Sequence, residues 1–414
     1  MKLKSLRTLV ILYLGSSVII HIALFWTIRK LIAEGFPDLA IYYCTGTIVR
    51  QGMGHQLYDP AARFEVEQQF AKYVPQFNGP LPYTHPPFEA LLYIPISYLP
   101  WIPAYIIWNV FNVGLLVTMP LLLRSHLPGI AHYPIWMWWL AMFAFFPIAY
   151  ELVNGQDSIL VLFFYTLAYV FMRNERFTAA GASLGLGLFK FHMIAPFVLL
   201  WLLDRRKPGQ RTKLLLGFIP VGFLLVLASV AIAGFQSLVT YPKYVFFWED
   251  LMAGRDNMPA GMPTLRGVLF MLSPKGFHYD GLLLVVSIAL ITFVAWSCRR
   301  SDTARFPDIG FVVGLLSTVV LSYHAVSYDL SVLILAVALL VNYFVEGNYS
   351  RQLPAQLITL SMAILYVPAL QISISKHYGL MVIVLLVWLF ATTSELMRLS
   401  SERLGSPRKV LVSG

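Results

Sequence analysis

The stretch NGQDSILVLFFYTLAYVFMRNERFTAAGASLGLGLFKFHMIAPF, Asn154 to Phe197, holds two apolar runs joined by the basic turn RNER, and the second run is interrupted at FKFH. The first run ends in arginines, as membrane helices do at their cytoplasmic ends. The second, Thr178 to Leu203, reads as two short helices that enter the membrane and return, with Lys190 at the turn. Apolar segments of this kind recur along all 414 residues, of which 58% are hydrophobic and only 12% charged. Soluble domains do not have this balance, and the chain reads as an all-α polytopic membrane protein.

Outward from that stretch, apolar segments fall near 6–28, 88–123, 133–149, 157–172, 178–203, 213–234, 280–298, 307–321, 328–345, 353–373 and 378–397. The first is too long for the apolar region of a signal peptide and no small-residue cleavage site follows it, so it is the first span. The segment 88–123 breaks at LPWIP, and its first piece, about 20 Å long, falls short of the ~30 Å hydrocarbon core. This gives a bundle of about ten to twelve crossings with short broken helices, in one domain spanning residues 1–414. The net charge of +10 sits in RNER, in DRRKPGQRTK (Asp204 to Lys213), in RRSDTAR (Arg299 to Arg305) and in the tail from 398 to 414. The positive-inside rule places these connections and both termini in the cytoplasm, which gives the basic residues a role other than nucleic-acid binding. Cys44 and Cys298 then lie on opposite sides of the membrane and imply no disulfide.

This threading puts two long polar stretches outside, residues 31–87 and 234–279, and with them the chemistry. In the first, AARFEVEQQFAKYV places Ala62, Val66, Phe70, Tyr73 and Val74 on one helical face and Glu65, Glu67 and Lys72 elsewhere. Such a helix lies in the membrane interface or packs on its own domain. At the outer ends of the spans stand Asp38, His85, Glu89, Glu151, Asp157, Lys190, His192, His324 and Asp329. Charge at membrane depth is expensive and faces cavities or partners, so the set is a site hypothesis. Asp38, Asp157 and Asp280 each precede an apolar helix, and N-capping would explain them equally well. Lys190 needs an anion, either a substrate phosphate or a carboxylate such as Asp157 or Glu151. Phosphate-cradling glycine loops, HExxH, GxSxG and paired cysteine ligands do not occur. The carboxylates are scattered in sequence, and neither a metal nor another cofactor is expected.

A carboxylate facing cations across a cavity open to lipid suits glycosyl transfer from a lipid-phosphate sugar: the carboxylate deprotonates a hydroxyl and the cations stabilise the departing phosphate. A polytopic transporter or flippase of lipid-linked sugars is the alternative, since it too needs intramembrane charges and broken helices.

The stretches FPDLAIYYCTGTIVRQGMGHQLYDP (36–60), YTHPPFEALLYIPISYLP (83–100), the opening stretch, MPTLRGVLF (262–270) and LLSTVVLSYHAVSYDLSVLILA (315–336) resemble, in order, landmarks of the polyprenol-phosphate-mannose-dependent mannosyltransferases, family 87 of the GT-C glycosyltransferases. The resemblance implies an inverting enzyme of a bacterial inner membrane. It would move a sugar, mannose by default, from a polyprenyl-phosphate donor to a glycolipid or glycan hydroxyl on the extracytoplasmic side. It further implies Asp38 as catalytic base, His324 near the reacting centre and a cationic donor-phosphate site to which Lys190 is the best match, with His192, His85, Tyr43, Gln156 and Arg266 around the substrates. Where the family usually has an aromatic residue this chain has His85, and where it has a Trp-rich run this chain reads SYHAVSYD.

Overall fold

Backbone amides in hydrocarbon must be satisfied within their own segment, so a chain this apolar folds as helices. The computed structural model describes residues 3–72, 82–203, 208–251, 259–274, 278–301, 307–347 and 352–404, with no strand among them. The principal helices are α1 (Leu3–Ala33), α2 (Leu39–Arg50), α3 (Pro60–Glu67), α4 (Trp101–Leu123), α5 (Ile135–Phe143), α6 (Phe146–Asn154), α7 (Ser158–Arg173), α8 (Phe177–Leu186) and α9 (Phe191–Leu203). There follow α10 (Pro208–Ala233), α11 (Ser237–Leu251), α12 (Leu265–Leu272), α13 (Asp280–Arg300), α14 (Pro307–Leu321), α15 (Leu333–Val345), α16 (Gln352–Ile364), α17 (Pro368–Ser373) and α18 (Met381–Leu404).

Among the described residues, seven helices are long and apolar enough to cross a membrane, or eight if a bent pair counts as one, and three shorter apolar helices add to these. The outward faces are apolar: Leu12, Ile19, Ile22 and Trp26 on α1, and Leu216, Ile219, Phe223 and Leu224 on α10, are exposed. Uncovered apolar surface on this scale is lipid contact. The centre is α14 and α15, where Val312, Val313, Leu315, Leu316, Val319, Leu333 and Leu335 are buried. The protein is an all-α polytopic membrane protein.

The segment 177–203 passes for one long span by composition, yet it folds back. The rings of Phe177 and Trp201 lie 5.9 Å apart, whereas a straight helix would separate them by about 36 Å. The reversal is the tight turn Gly187–Lys190. Small residues let the hairpin pack closely on α10: a Cβ on Gly181 would lie 1.9 Å from the Leu214 carbonyl oxygen, and one on Gly217 1.9 Å from that of Thr178.

Two expectations are corrected. Residues 133–149 are not one straight span: α5 and α6 meet at 66°, because Pro147 starts a new helix in its first turn. The helix of the first outer loop packs on its own domain, one of the two readings open to it, with Val66 buried and Glu65 exposed, but Glu67 of the expected polar side is turned inward. Arg63 and Glu67 are buried and bridged at 3.1 Å, Arg63 also donates to the Ile41 carbonyl oxygen at 3.1 Å, and α3 packs on α2. Tyr73 and Val74 of the expected apolar face, and the tail from 405 onward, lie outside the described residues.

One end of the bundle gathers the end of α1, the start of α2, the α6–α7 junction, the tip of the α8–α9 hairpin and the link from α14 to α15. At the other end sit basic residues such as Arg173, paired with Asp308 at 3.3 Å, and Arg299, which donates to the Leu203 carbonyl oxygen.

Candidate active site

Three turns build the first end. Phe36–Pro37–Asp38 stops the chain after α1 and puts Asp38 at the N-cap position of α2, but its side chain makes no capping bond. Instead the half-buried carboxylate accepts from Gln156 Nε2 at 2.7 Å. The second turn is Asn154–Gly155–Gln156–Asp157. Gly155 closes α6 with φ of 61°, and a Cβ there would meet Leu39 Cβ at 2.8 Å, so glycine lets the turn press against the start of α2. Asp157 also occupies an N-cap position, that of α7, without a capping bond. The third turn is His85–Pro86–Pro87, after which the short helix Pro87–Glu89 brings Glu89 Oε2 to 2.9 Å from His85 Nδ1.

Gln156 is the hub. Its Nε2 donates to Asp38 and, at 2.9 Å, to the Tyr328 hydroxyl, while its Oε1 accepts from the Tyr42 hydroxyl at 2.6 Å. Tyr42 in turn meets His85 Nε2 at 3.2 Å. Trp108 Nε1 donates to the Gln156 carbonyl oxygen, fixing the backbone beneath.

Lys190 lies behind this layer, 2% exposed. Its ammonium is 2.8 Å from Asp157 Oδ1 and 2.7 Å from Asp329 Oδ1, and it donates to Ser158 Oγ at 2.5 Å. Asp329 is shared, since its Oδ2 accepts from the Val326 backbone amide at 2.8 Å. Of the two anions open to Lys190 on sequence grounds, the structure supplies carboxylates; its partners are Asp157 and Asp329, not Glu151. Glu151 accepts from the Ile159 amide at 3.0 Å.

His192 and His324 form a third group. His192 Nδ1 lies 2.7 Å from Ser322 Oγ, and the two imidazole centroids are 6.2 Å apart. Arg266, buried at the start of α12, stacks its guanidinium 3.9 Å over the Tyr323 ring and donates to the Tyr323 carbonyl oxygen at 3.4 Å. Burial, and secondarily Arg266, pushes the His324 imidazole down to about 4, leaving it neutral near pH 7. Burial pushes the Asp38 carboxyl above its ordinary range, partly offset by the hydrogen bonds from Gln156 and Tyr328.

Asp38, His85 and Gln156 are thus joined in one network, Lys190 backs it, and His192, His324 and Arg266 stand beside it on the α14–α15 side. Tyr43 is elsewhere: its hydroxyl donates to the Leu99 carbonyl oxygen and its ring packs on Phe70 and Trp101. The aromatic that reaches the site is Tyr42. Helical spacing carries that signal, because Tyr42 is four residues beyond Asp38 and shares its face, whereas Tyr43 is rotated away. Tyr328 and Ser158 were equally absent from the sequence-derived set. Each adjoins an ionisable residue at a helix start, but only the packing of α6, α7 and α15 brings them together.

These features define a class, a membrane-embedded bundle with a buried acid–histidine site at one end. The family model of glycosyltransferase family 87 matches residues 83–322 of the 414, more than half of the chain. The chain belongs to glycosyltransferase family 87. No curated protein and no solved structure matched it. Membership of a glycosyltransferase family favours transfer over transport. The matched region begins after Asp38 and ends before His324, so the roles of these two residues rest on the site geometry and on the resemblance of the flanking stretches.

Proposed function

We propose that the protein is an inverting glycosyltransferase that moves a sugar, mannose by default, from a polyprenyl-phosphate donor to a hydroxyl of a glycolipid or glycan. Asp38 is the base. The observation that carries this reading is that Asp38 holds an N-cap position yet leaves the helix uncapped, keeping a half-buried carboxylate oriented by Gln156 instead. A side chain conserving helix stability alone would cap.

In this reading Asp38 takes the acceptor's proton as its oxygen attacks the anomeric carbon from the face opposite the phosphate, and the configuration inverts. Charge grows on the departing phosphate. With Lys190 committed to carboxylates, the groups left to meet that charge are His324, His192 and Arg266, which differs from the assignment of the phosphate to Lys190 on sequence grounds. A neutral His324 donates a hydrogen bond and Arg266 supplies the positive field.

The threading supports an extracytoplasmic site, because the basic residues of the short connections lie at the opposite end. The test is transfer by protein in vesicles with labelled polyprenyl-phosphate sugar outside. Release of polyprenyl phosphate by the parent chain, and its loss in Asp38→Asn, is the expected result; near-normal transfer by Asp38→Asn removes Asp38 from the role.

A further inference from the structure

His85, Glu89 and Asp157 point ligand atoms at one spot, all within 4.8 Å of one another. Hydrogen-bond accounting shows what the spot lacks. Both amide protons of Gln156 are engaged, by Asp38 and Tyr328, so its Oε1 takes the single hydroxyl proton of Tyr42. Tyr42 can then only accept from His85, which places a proton on His85 Nε2. Between His85 Nδ1 and Glu89 Oε2, 2.9 Å apart, something positive must sit, either a proton or a metal ion. Asp157 Oδ2 faces the same point, 3.8 Å from Nδ1. Glu89 and Asp157 are both fully buried, and Glu89 Oε1 and Asp157 Oδ2 find no hydrogen-bond donor among the described residues.

Charge bears on the choice between proton and metal. Around this spot lie the buried carboxylates Glu89, Asp157 and Asp329 against the one ammonium of Lys190, with Glu151 held by the Ile159 amide. A single proton between His85 and Glu89 leaves a net negative charge buried, which is costly whichever partner holds the proton. A dication leaves none; a second proton held between Glu89 and Asp157 does the same, and metal titration separates the two. The dication's protein ligands would be one imidazole nitrogen and two carboxylate oxygens, a mixed set suited to Mn²⁺ or Zn²⁺ more than to Ca²⁺. The surrounding bonds are those that metal ligands receive: Nε2 of the imidazole to Tyr42, Glu89 Oε2 to the Tyr83 hydroxyl at 3.2 Å, and Asp157 Oδ1 to Lys190. We propose that His85, Glu89 and Asp157 form a divalent-cation site beside the Asp38 network, reached past the partly exposed edge of His85.

Scatter in sequence was the ground for expecting no metal, and the fold removes it: His85 and Glu89 are one helical turn apart, and the α6–α7 turn brings Asp157 to them. The inference is independent of the sugar-transfer reading, because it is tested by binding. Metal-stripped full-length protein in detergent is titrated with Mn²⁺ and followed by electron paramagnetic resonance. One equivalent bound by the parent chain, none by Glu89→Gln, and an affinity about 10–100-fold lower in Tyr42→Phe support the site. Tyr42→Phe keeps the ring and all three ligands, so it reads the site even if the carboxylate variants fold poorly. If the folded parent chain binds neither Mn²⁺ nor Zn²⁺ in stoichiometric amount, the proposal is overturned. A protonated-carboxyl infrared band lost in Glu89→Gln would then assign the spot to a shared proton.

Discussion

The two ends of the bundle differ in what they bury. The Asp38 end gathers many ionisable groups, with carboxylates outnumbering the single ammonium of Lys190. The opposite end holds a cavity of about 270 Å³ lined by Tyr169, Phe177, Trp201, Phe311 and Cys298, and pairs cations singly with carboxylates: Arg173 with Asp308, partly exposed, and Arg398 with Glu395, buried. Transfer needs a positioned base and a matched charge, and among the described residues only the first end combines two aspartates at N-cap positions without capping bonds, a glutamine hub and a lysine locked between two aspartates.

The largest effect that would sharpen this contrast is on turnover. Asp38→Asn keeps the shape and removes the base, and transfer should fall by about 10²–10⁴-fold in a single-turnover assay; a loss below tenfold would erase the difference between the ends. Next comes Lys190→Met. It strips the cation from two buried aspartates, so the protein should lose about 3–5 kcal/mol of stability, read as earlier thermal unfolding in detergent. Unchanged unfolding with slowed turnover would return Lys190 to the donor phosphate.

A smaller effect concerns pH. In the proposed role Asp38 is ionised; burial raises its carboxyl, and the Gln156 hydrogen bond lowers it. Gln156→Leu removes the lowering contribution, so the acid limb of kcat/KM should move to higher pH. A uniform loss at every pH, with the limb unmoved, would make Gln156 a spacer. The smallest effect lies at the far end. Arg173→Ala breaks a partly exposed pair worth about 0–1 kcal/mol and should leave turnover within about twofold; a larger loss would mean that the cavity there takes part.

Much of the fold was legible because the membrane enforces it. Runs of apolar residues, basic turns such as RNER and the polar break at FKFH each follow from the cost of placing charge or bare backbone in hydrocarbon, and the α8–α9 hairpin was readable on those grounds. The kink between α5 and α6 was not, because MFAFFPIAY is apolar throughout and Pro147 was its only signal. For the site, Asp38 stood out as a lone acid after a span. The partners of Lys190 did not, since Asp157 and Asp329 are distant in sequence and meet it only once α7, the hairpin and α15 pack. Tyr43 was preferred over Tyr42 because the aromatic pair was read as a motif and not as positions on a helix.

The most direct test of the central claim is to mix purified protein with polyprenyl-phosphate [¹⁴C]mannose and a membrane extract of acceptors, and to measure the free polyprenyl phosphate and the labelled product together. The account predicts that both appear in equal amounts with the parent chain, with the anomeric configuration inverted, and that neither appears with Asp38→Asn. Release of label at the same rate from both proteins, or a product with retained configuration, would contradict it.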